Sequence, residues 1–158
     1  MSGCIRCGSC CNNFLMTKGQ VIRILKYLKE KTEVIKDLRE TPEVAGIPNV
    51  CIFLRGTVGR TYCKIYSVRP EICRVFGVEG RDGLECPKGT ITSKYTAVEA
   101  EEIINNIYTV SQNSVGHYDK FFRSVIKNVP NDSVEKYNMF FDYYIQLLKD
   151  WKEDISFY

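Results

Sequence analysis

The feature that most constrains this chain is its set of eight cysteines beside a single histidine in 158 residues. All eight lie in the first 86 residues, at Cys4, Cys7, Cys10, Cys11, Cys51, Cys63, Cys73 and Cys86. The first residues lack the apolar core of a secretory signal, and no apolar run is long enough to span a membrane. We therefore expect a cytoplasmic protein with no membrane association. Because cytoplasmic thiols stay reduced, clustered cysteines there are expected to be metal ligands or redox groups rather than disulfides.

Charge divides the chain in the same place as the cysteines. Residues 1–90 carry 15 Lys and Arg against 9 Asp and Glu, a net charge of +6, whereas residues 91–158 carry 7 against 10, a net charge of −3. This division predicts a cysteine-cluster metal-binding region over 1–90 and a cysteine-free helical region over 91–158 that packs on it. The overall net charge of +3 is too small to indicate a nucleic-acid partner, and we predict none.

The first region combines a helix, a hairpin and a short helix. Thr17-Lys18-Gly19-Gln20 fits a capping box, and apolar residues then follow at helical spacing from Val21 to Leu38. The β-prone segments 50–54 and 61–66 flank a glycine-containing loop, which predicts a two-stranded hairpin. Arg69-Pro70 is suited to open a short helix that carries Cys73. The glycine-rich segment 77–90 is predicted to be loop.

The second region reads as three helices. Thr96 and Glu99 form another capping box before the first of them, and an apolar stripe from Tyr118 to Ile126 marks the second. Apolar residues at alternating steps of three and four mark the third, at Val134, Tyr137, Phe141, Tyr144, Leu148, Trp151 and Ile155. We interpret this last face as a seam of the protein core, with a binding face for a protein partner as the alternative.

The first cysteine group, Cys4-x-x-Cys7-x-x-Cys10-Cys11, has spacing suited to thiolate ligands. Steps of three let successive thiolates converge on one metal ion or on one face of a cluster. Adjacent cysteines do not easily both point inward in regular backbone. One of Cys10 and Cys11 therefore serves a second metal, bridges two metals, or is not a ligand. The four later cysteines form no local pair, so the fold must gather them if they are ligands.

Ligand chemistry narrows the choice of metal without fixing it. With one histidine, His117, sites that need two or more imidazoles are excluded as the main interpretation, and His117 itself is expected to be an ordinary histidine. All-cysteine ligation suits zinc, iron–sulfur clusters or Cu(I). Cys4, Cys7 and Cys10 reproduce the first three positions of a bacterial ferredoxin run, but the fourth position departs from it.

These residues resemble the CxxCxxCC, or YkgJ-like, cysteine-cluster family over residues 4–89. The matching positions are Cys4-x-x-Cys7-Gly8-x-Cys10-Cys11, Cys51-x-Phe53-Leu54, Tyr62-Cys63-x-Ile65-Tyr66-x-x-Arg69-Pro70-x-x-Cys73-Arg74-x-Phe76 and Cys86-Pro87. The resemblance implies that all eight cysteines chelate zinc or iron. Members of the family are often labelled iron–sulfur proteins, and the resemblance implies no particular reaction.

Two functions are consistent with these residues. The first is an iron protein, with the iron held as an iron–sulfur cluster for redox or sensing. The second is a zinc-stabilised structural or interaction module without catalysis. No dinucleotide-binding, phosphate-binding or zinc-protease motif supports an enzymatic assignment. The predicted fold is α+β and mainly helical, with a short hairpin and loops around a cysteine-ligated metal centre and a C-terminal three-helix segment.

Overall fold

A computed structural model describes residues 15–47, 49–80, 85–86, 93–110 and 115–150. These residues are mainly helical and include two small antiparallel sheets, which confirms the predicted fold class. The elements are β1 (Leu15–Thr17), α1 (Lys18–Glu30), α2 (Thr32–Glu40), β2 (Leu54–Arg55), β3 (Tyr62–Cys63), a 3₁₀ helix (Tyr66–Val68), α3 (Glu71–Val75), α4 (Ala97–Val110), β4 (Val115–His117), α5 (Asp119–Asn128) and α6 (Val134–Asp150).

The first helix begins at the predicted capping box. The Thr17 hydroxyl accepts a hydrogen bond from the Gln20 amide at 3.2 Å, and the Gln20 side chain accepts one from the Thr17 amide at 2.9 Å. These two bonds satisfy N–H groups that lack partners within the helix. The predicted apolar face is divided between two helices, because Lys31 (φ −115°, ψ 70°) ends α1 before α2 begins.

The main core lies between α1, α2, α5, α6 and the β2–β3 hairpin. Helix α6 packs along α1, and the Tyr137 hydroxyl donates a hydrogen bond to the Leu28 carbonyl. Tyr137, Phe141 and Leu148 are buried, as the seam interpretation requires. The prediction was wrong for Val134, which is the first residue of α6 and 76% exposed; Tyr144 is only partly buried, and Ile145 is buried although it was not predicted. Positions 151 and 155 of the seam lie outside the described residues.

Helix α5 is joined to α2 by one arginine. The Arg39 guanidinium donates hydrogen bonds to the carbonyls of Ile126, Lys127 and Val129, at the C-terminal end of α5. These carbonyls have no amide partner in a following turn of helix, so a cation that satisfies them also complements the helix dipole. The aromatic side chains of α5 can then be held against the hairpin, where Phe122 contacts Phe53 edge to face.

Helix α4 belongs to a separate, smaller cluster. It begins at the predicted capping box, in which Thr96 and Glu99 exchange side-chain and amide hydrogen bonds of 3.2 and 3.3 Å. Ala100 of α4 packs with Val75 and Val78 at the end of α3. The three C-terminal helices are therefore present as predicted, but α5 and α6 pack on α1 and α2 while α4 packs on α3. The division of the chain at residue 90 stays a prediction.

The β1–β4 sheet was not predicted from the sequence. It is antiparallel and pairs Leu15 with His117, Met16 with Gly116 and Thr17 with Val115. This sheet fixes the backbone just after the first cysteine group beside the segment that leads into α5. Of the described helices, none has the length and apolar character needed to cross a bilayer.

Candidate metal centre

The structure brings two of the predicted ligands together. Cys51, Cys63, Cys73 and Cys86 are described, and each is partly buried. The N-terminal quartet of Cys4, Cys7, Cys10 and Cys11 lies outside the described residues. Within the described ranges, no three or more Cys, His, Asp or Glu side chains are grouped closely enough to hold a metal. The participation of all eight cysteines therefore stays a prediction, and the predicted ligands that lie near each other are Cys51 and Cys63.

Cys51 begins a tight turn that leads into β2. Its carbonyl accepts a hydrogen bond from the Leu54 amide at 3.1 Å, and its sulfur accepts one from the Phe53 amide. Ile52 and Phe53 are 7% and 1% exposed, so the turn is anchored in the main core. The core thus holds the backbone so that one N–H group points at the sulfur.

Cys63 lies on β3 directly opposite Leu54 and repeats the same arrangement. Its sulfur accepts a hydrogen bond from the amide of Ile65, two residues further on, and the Ile65 side chain is buried. The amide of Lys64 donates to the Phe53 carbonyl at 2.9 Å, which ties this turn to the turn that follows Cys51. The two cysteine turns are therefore one bonded unit.

The electrostatics of the Cys51–Cys63 pair favour neutral thiols when no metal ion is bound. Burial raises the pKa of Cys51 to about 12, and the nearby charge of Cys63 also raises it. Burial raises the pKa of Cys63 as well, while the Ile65 amide and the Arg69 guanidinium act in the opposite direction. An N–H group that points at sulfur favours the thiolate, and a bound soft metal ion deprotonates a coordinating thiol. The donor set of two sulfurs, each with its own amide, therefore fits thiolate coordination.

An ion-pair network supports the backbone at Cys51. Arg123 on α5 pairs with Asp119 one turn earlier and with Glu43 at 2.6 Å, and it also donates to the Val50 carbonyl at 3.2 Å. The network fastens the residue before Cys51 to α5. The sequence contains the i, i+4 spacing of Asp119 and Arg123, but it gives no signal for the bond to Val50.

A buried arginine supports the other side of the Cys51 turn. Arg55 was predicted to lie in the hairpin loop, yet it belongs to β2 and is only 1% exposed. Its guanidinium donates to the carbonyls of Ile52 at 2.7 Å, Leu54 at 2.8 Å and Leu38 at 3.0 Å. Burial lowers the pKa of Arg55. These bonds hold the turn against the end of α2, and no sequence pattern indicates them.

Cys73 and Cys86 lie on other elements. Cys73 is on the short helix α3, as predicted, and its amide donates to the Pro70 carbonyl at 3.0 Å. Cys86 follows Glu85, whose carboxylate accepts a hydrogen bond from the Gly80 amide at 3.0 Å. Helix α3 contacts β1, so Cys73 is on an element that packs against the strand immediately following the first cysteine group.

The fold and the paired turns define a small, mainly helical protein with a cysteine site built on a hairpin. The chain belongs to the CxxCxxCC family, described as "Putative zinc- or iron-chelating domain", whose family model matches residues 3–108. This confirms the resemblance found in the sequence. The match continues beyond the last cysteine into α4.

One curated relative is informative about the extent of similarity. The "Uncharacterized protein MJ0661" of Methanocaldococcus jannaschii is 40% identical over 91 residues, which cover 51% of this chain and 47% of that protein. The chain thus spans about half the length of the relative it matches. No solved structure matches the chain.

Proposed function

We propose that the chain binds iron as an iron–sulfur cluster, through thiolates drawn from its eight cysteines, for redox or sensing. The proposed ligands are Cys4, Cys7, Cys10, Cys11, Cys51, Cys63, Cys73 and Cys86. The family description supports chelation of zinc or iron. The observation that carries the proposal is that Cys51 and Cys63 each accept a backbone N–H at sulfur within one bonded unit. Such bonds stabilise thiolate charge and tune cluster potentials.

Chain connectivity supports recruitment of Cys73 and of the first cysteine group. Cys11 precedes Leu15, the first residue of β1, by four residues, a length of chain that reaches at most about 14 Å. Strand β1 contacts α3, the helix that carries Cys73. The first cysteine group is therefore tethered, through this short length of chain, to a strand that packs on that helix. The 3₁₀ helix connects the Cys63 turn to α3 within a few residues. Three groups of cysteines are thus tethered to neighbouring elements.

The alternative is a zinc-stabilised structural or interaction module. It is favoured by the size of the β2–β3 hairpin, whose strands are two residues each. A two-stranded hairpin has little stability of its own, and a bound zinc ion would supply folding free energy at this point. A protein partner on the C-terminal helices stays a prediction; Met139 and Tyr143 of α6 are 62% and 63% exposed.

Purification without oxygen, followed by metal analysis and visible absorption, tests the proposal. We expect a brown protein with a broad band near ~400 nm and with iron and acid-labile sulfide bound. A colourless protein with stoichiometric zinc would replace the iron proposal with the zinc alternative. Full-length protein with neither metal above trace amounts would contradict both.

Single substitutions test the ligand set. We expect Cys51→Ser, Cys63→Ser and Cys7→Ser each to lower the bound metal, because a hydroxyl is a poor substitute for a thiolate at a soft metal. Ile52→Val is the matched control, since it alters a buried side chain next to Cys51 but removes no thiolate. Full metal content in Cys51→Ser, measured beside this control, would remove Cys51 from the set.

A further inference from the structure

Two guanidinium groups meet at the turn between Cys63 and Cys73. Arg23 of α1 donates from Nη2 to the Arg69 carbonyl at 3.0 Å, and Arg74 of α3 donates from Nε to the same oxygen at 3.3 Å. The two nitrogens are therefore no more than 6.3 Å apart, the sum of these two distances. Arg74 also donates to the Ser67 carbonyl at 3.2 Å. These bonds hold two positive charges close together on one turn.

Arg69 adds a third guanidinium to this turn. Its Cζ atom lies 4.0 Å from the centroid of the Tyr66 ring, and Tyr66 is 54% exposed. Stacking on an aromatic face leaves the N–H edges of a guanidinium open to an acceptor in its plane. We call Arg23, Arg69 and Arg74 the arginine cluster.

The arginine cluster has no carboxylate partner within the part of the chain that the structure describes. Cations elsewhere do have one: Lys64 pairs with Asp37, Lys29 with Asp142 and Arg123 with Glu43, each at 2.6 Å. The sequence adds to this imbalance, because residues 1–29, which include the first four cysteines, contain five Lys and Arg and no Asp or Glu. The guanidinium groups of Arg23 and Arg74 repel each other at this separation, and an anion beside them would reduce that repulsion.

The cysteine site would become an anion once its thiols bind a metal as thiolates, and the turn that carries the arginine cluster connects the elements of Cys63 and Cys73. Arg69 ends the 3₁₀ helix that follows the Cys63 turn, where the Val68 amide donates to the Ile65 carbonyl at 2.9 Å, and Arg74 directly follows Cys73 in the sequence. A divalent metal held by four thiolates keeps a net negative charge. We propose that the arginine cluster is the counter-charge of the metal centre, so that Arg23, Arg69 and Arg74 are positioning residues that raise its metal affinity without ligating the metal. This inference rests on the proposed function.

The test is the affinity of the metal-free full-length protein for zinc ions, measured without oxygen by competition with a chromophoric chelator. We expect Arg23→Gln, Arg69→Gln and Arg74→Gln each to weaken binding about two- to fivefold, the range for partly screened charge pairs, and the triple variant to weaken it about tenfold or more. The loss should shrink at high salt, because screening weakens the interaction it removes.

Two further variants make the result specific to charge at this turn. Arg60→Gln removes the same charge from an exposed residue of the hairpin loop, and we expect it to bind zinc as the unsubstituted protein does. Arg69→Lys keeps the charge and should retain most of the affinity even if the ring contact is weakened. Circular dichroism of the metal-free variants shows whether each one is folded.

The outcomes separate the two proposals. If the unsubstituted protein binds no metal, the proposed function fails and the inference fails with it. If the protein binds zinc and the arginine variants bind it as tightly as Arg60→Gln, only the inference is overturned. An equal loss in Arg69→Lys and Arg69→Gln would also overturn it, because charge would then not be the cause.

Discussion

Gly56→Ala should weaken both the hairpin and the cysteine pair that it carries. Gly56 follows β2 with φ at +98°, in the left-handed region that glycine tolerates and alanine does not. A methyl group at this position would also overlap the backbone carbonyl of Arg60, on the other side of the loop. That oxygen belongs to the backbone, so the loop itself must move to make room.

The expected magnitude follows from two contributions. The positive φ costs an L-residue about 1–2 kcal/mol, and forcing packed backbone apart costs about 1–3 kcal/mol more. We expect a loss of about 3 kcal/mol in the free energy of unfolding, which for a chain of this size corresponds to a fall of about 6–12 °C in the melting temperature. The hairpin cannot relieve this strain by opening locally, because Phe53 and Ile65 pack it into the main core. The full loss should therefore appear in the free energy of unfolding.

Gly59→Ala is the matched control for this experiment. Gly59 also has a positive φ, +87°, but a methyl group there would meet no atom within contact distance. It should therefore lose only about 1–2 kcal/mol. Urea unfolding of both metal-free variants gives the stabilities, and the chelator competition gives their zinc affinities. Equal stability of the two variants, or unchanged zinc affinity in Gly56→Ala, would refute the reasoning.

Two other predictions concern buried polar groups. Burial raises the pKa of the Cys51 thiol from 9.0 to about 12, so the metal-free fold favours the protonated thiol. This preference contributes fully to the free energy of unfolding below pH 9. The contribution should be lost as the pH rises towards 12, by at most about 4 kcal/mol. Urea unfolding at several pH values measures this loss, which should be clearly smaller in Cys51→Ser; a stability that is flat above pH 9 would contradict it. Tyr137→Phe should lower the free energy of unfolding by about 1–2 kcal/mol in the same assay at neutral pH, because the Leu28 carbonyl, in the last turn of α1, loses its hydroxyl partner. An unchanged unfolding midpoint would contradict this prediction and would show that water replaces that bond.

The predictions that succeeded rest on interactions between residues close in sequence. The capping boxes at Thr17 and Thr96 each join residues three apart, so their side chains identify the start of a helix without reference to the rest of the fold. The hairpin and the short helix after Pro70 were found for the same reason, although Arg55, predicted in the loop, belongs to β2. The hairpin strands are shorter than predicted, because tight turns follow Cys63 and precede Leu54.

Other features depend on contacts between distant parts of the chain. The split of the C-terminal helices between two apolar clusters depends on which faces meet in space, and all three helices have apolar faces that look equivalent in the sequence. The burial of Arg55 depends on three carbonyls, and a backbone carbonyl carries no residue-specific signal. The β1–β4 pairing joins segments about a hundred residues apart.

The sequence by itself determined the side-chain chemistry available to this protein: eight thiols beside one histidine exclude sites that need two or more imidazoles and favour soft metals such as zinc or iron, whatever the fold. Only the tertiary structure decided that Cys51 and Cys63 form a pair with an amide pointing at each sulfur, and that Arg69 lies near one of them. The reason is physical. Side-chain chemistry is a property of each residue, whereas the direction of a backbone N–H and the distance between charges exist only after the core has packed around them.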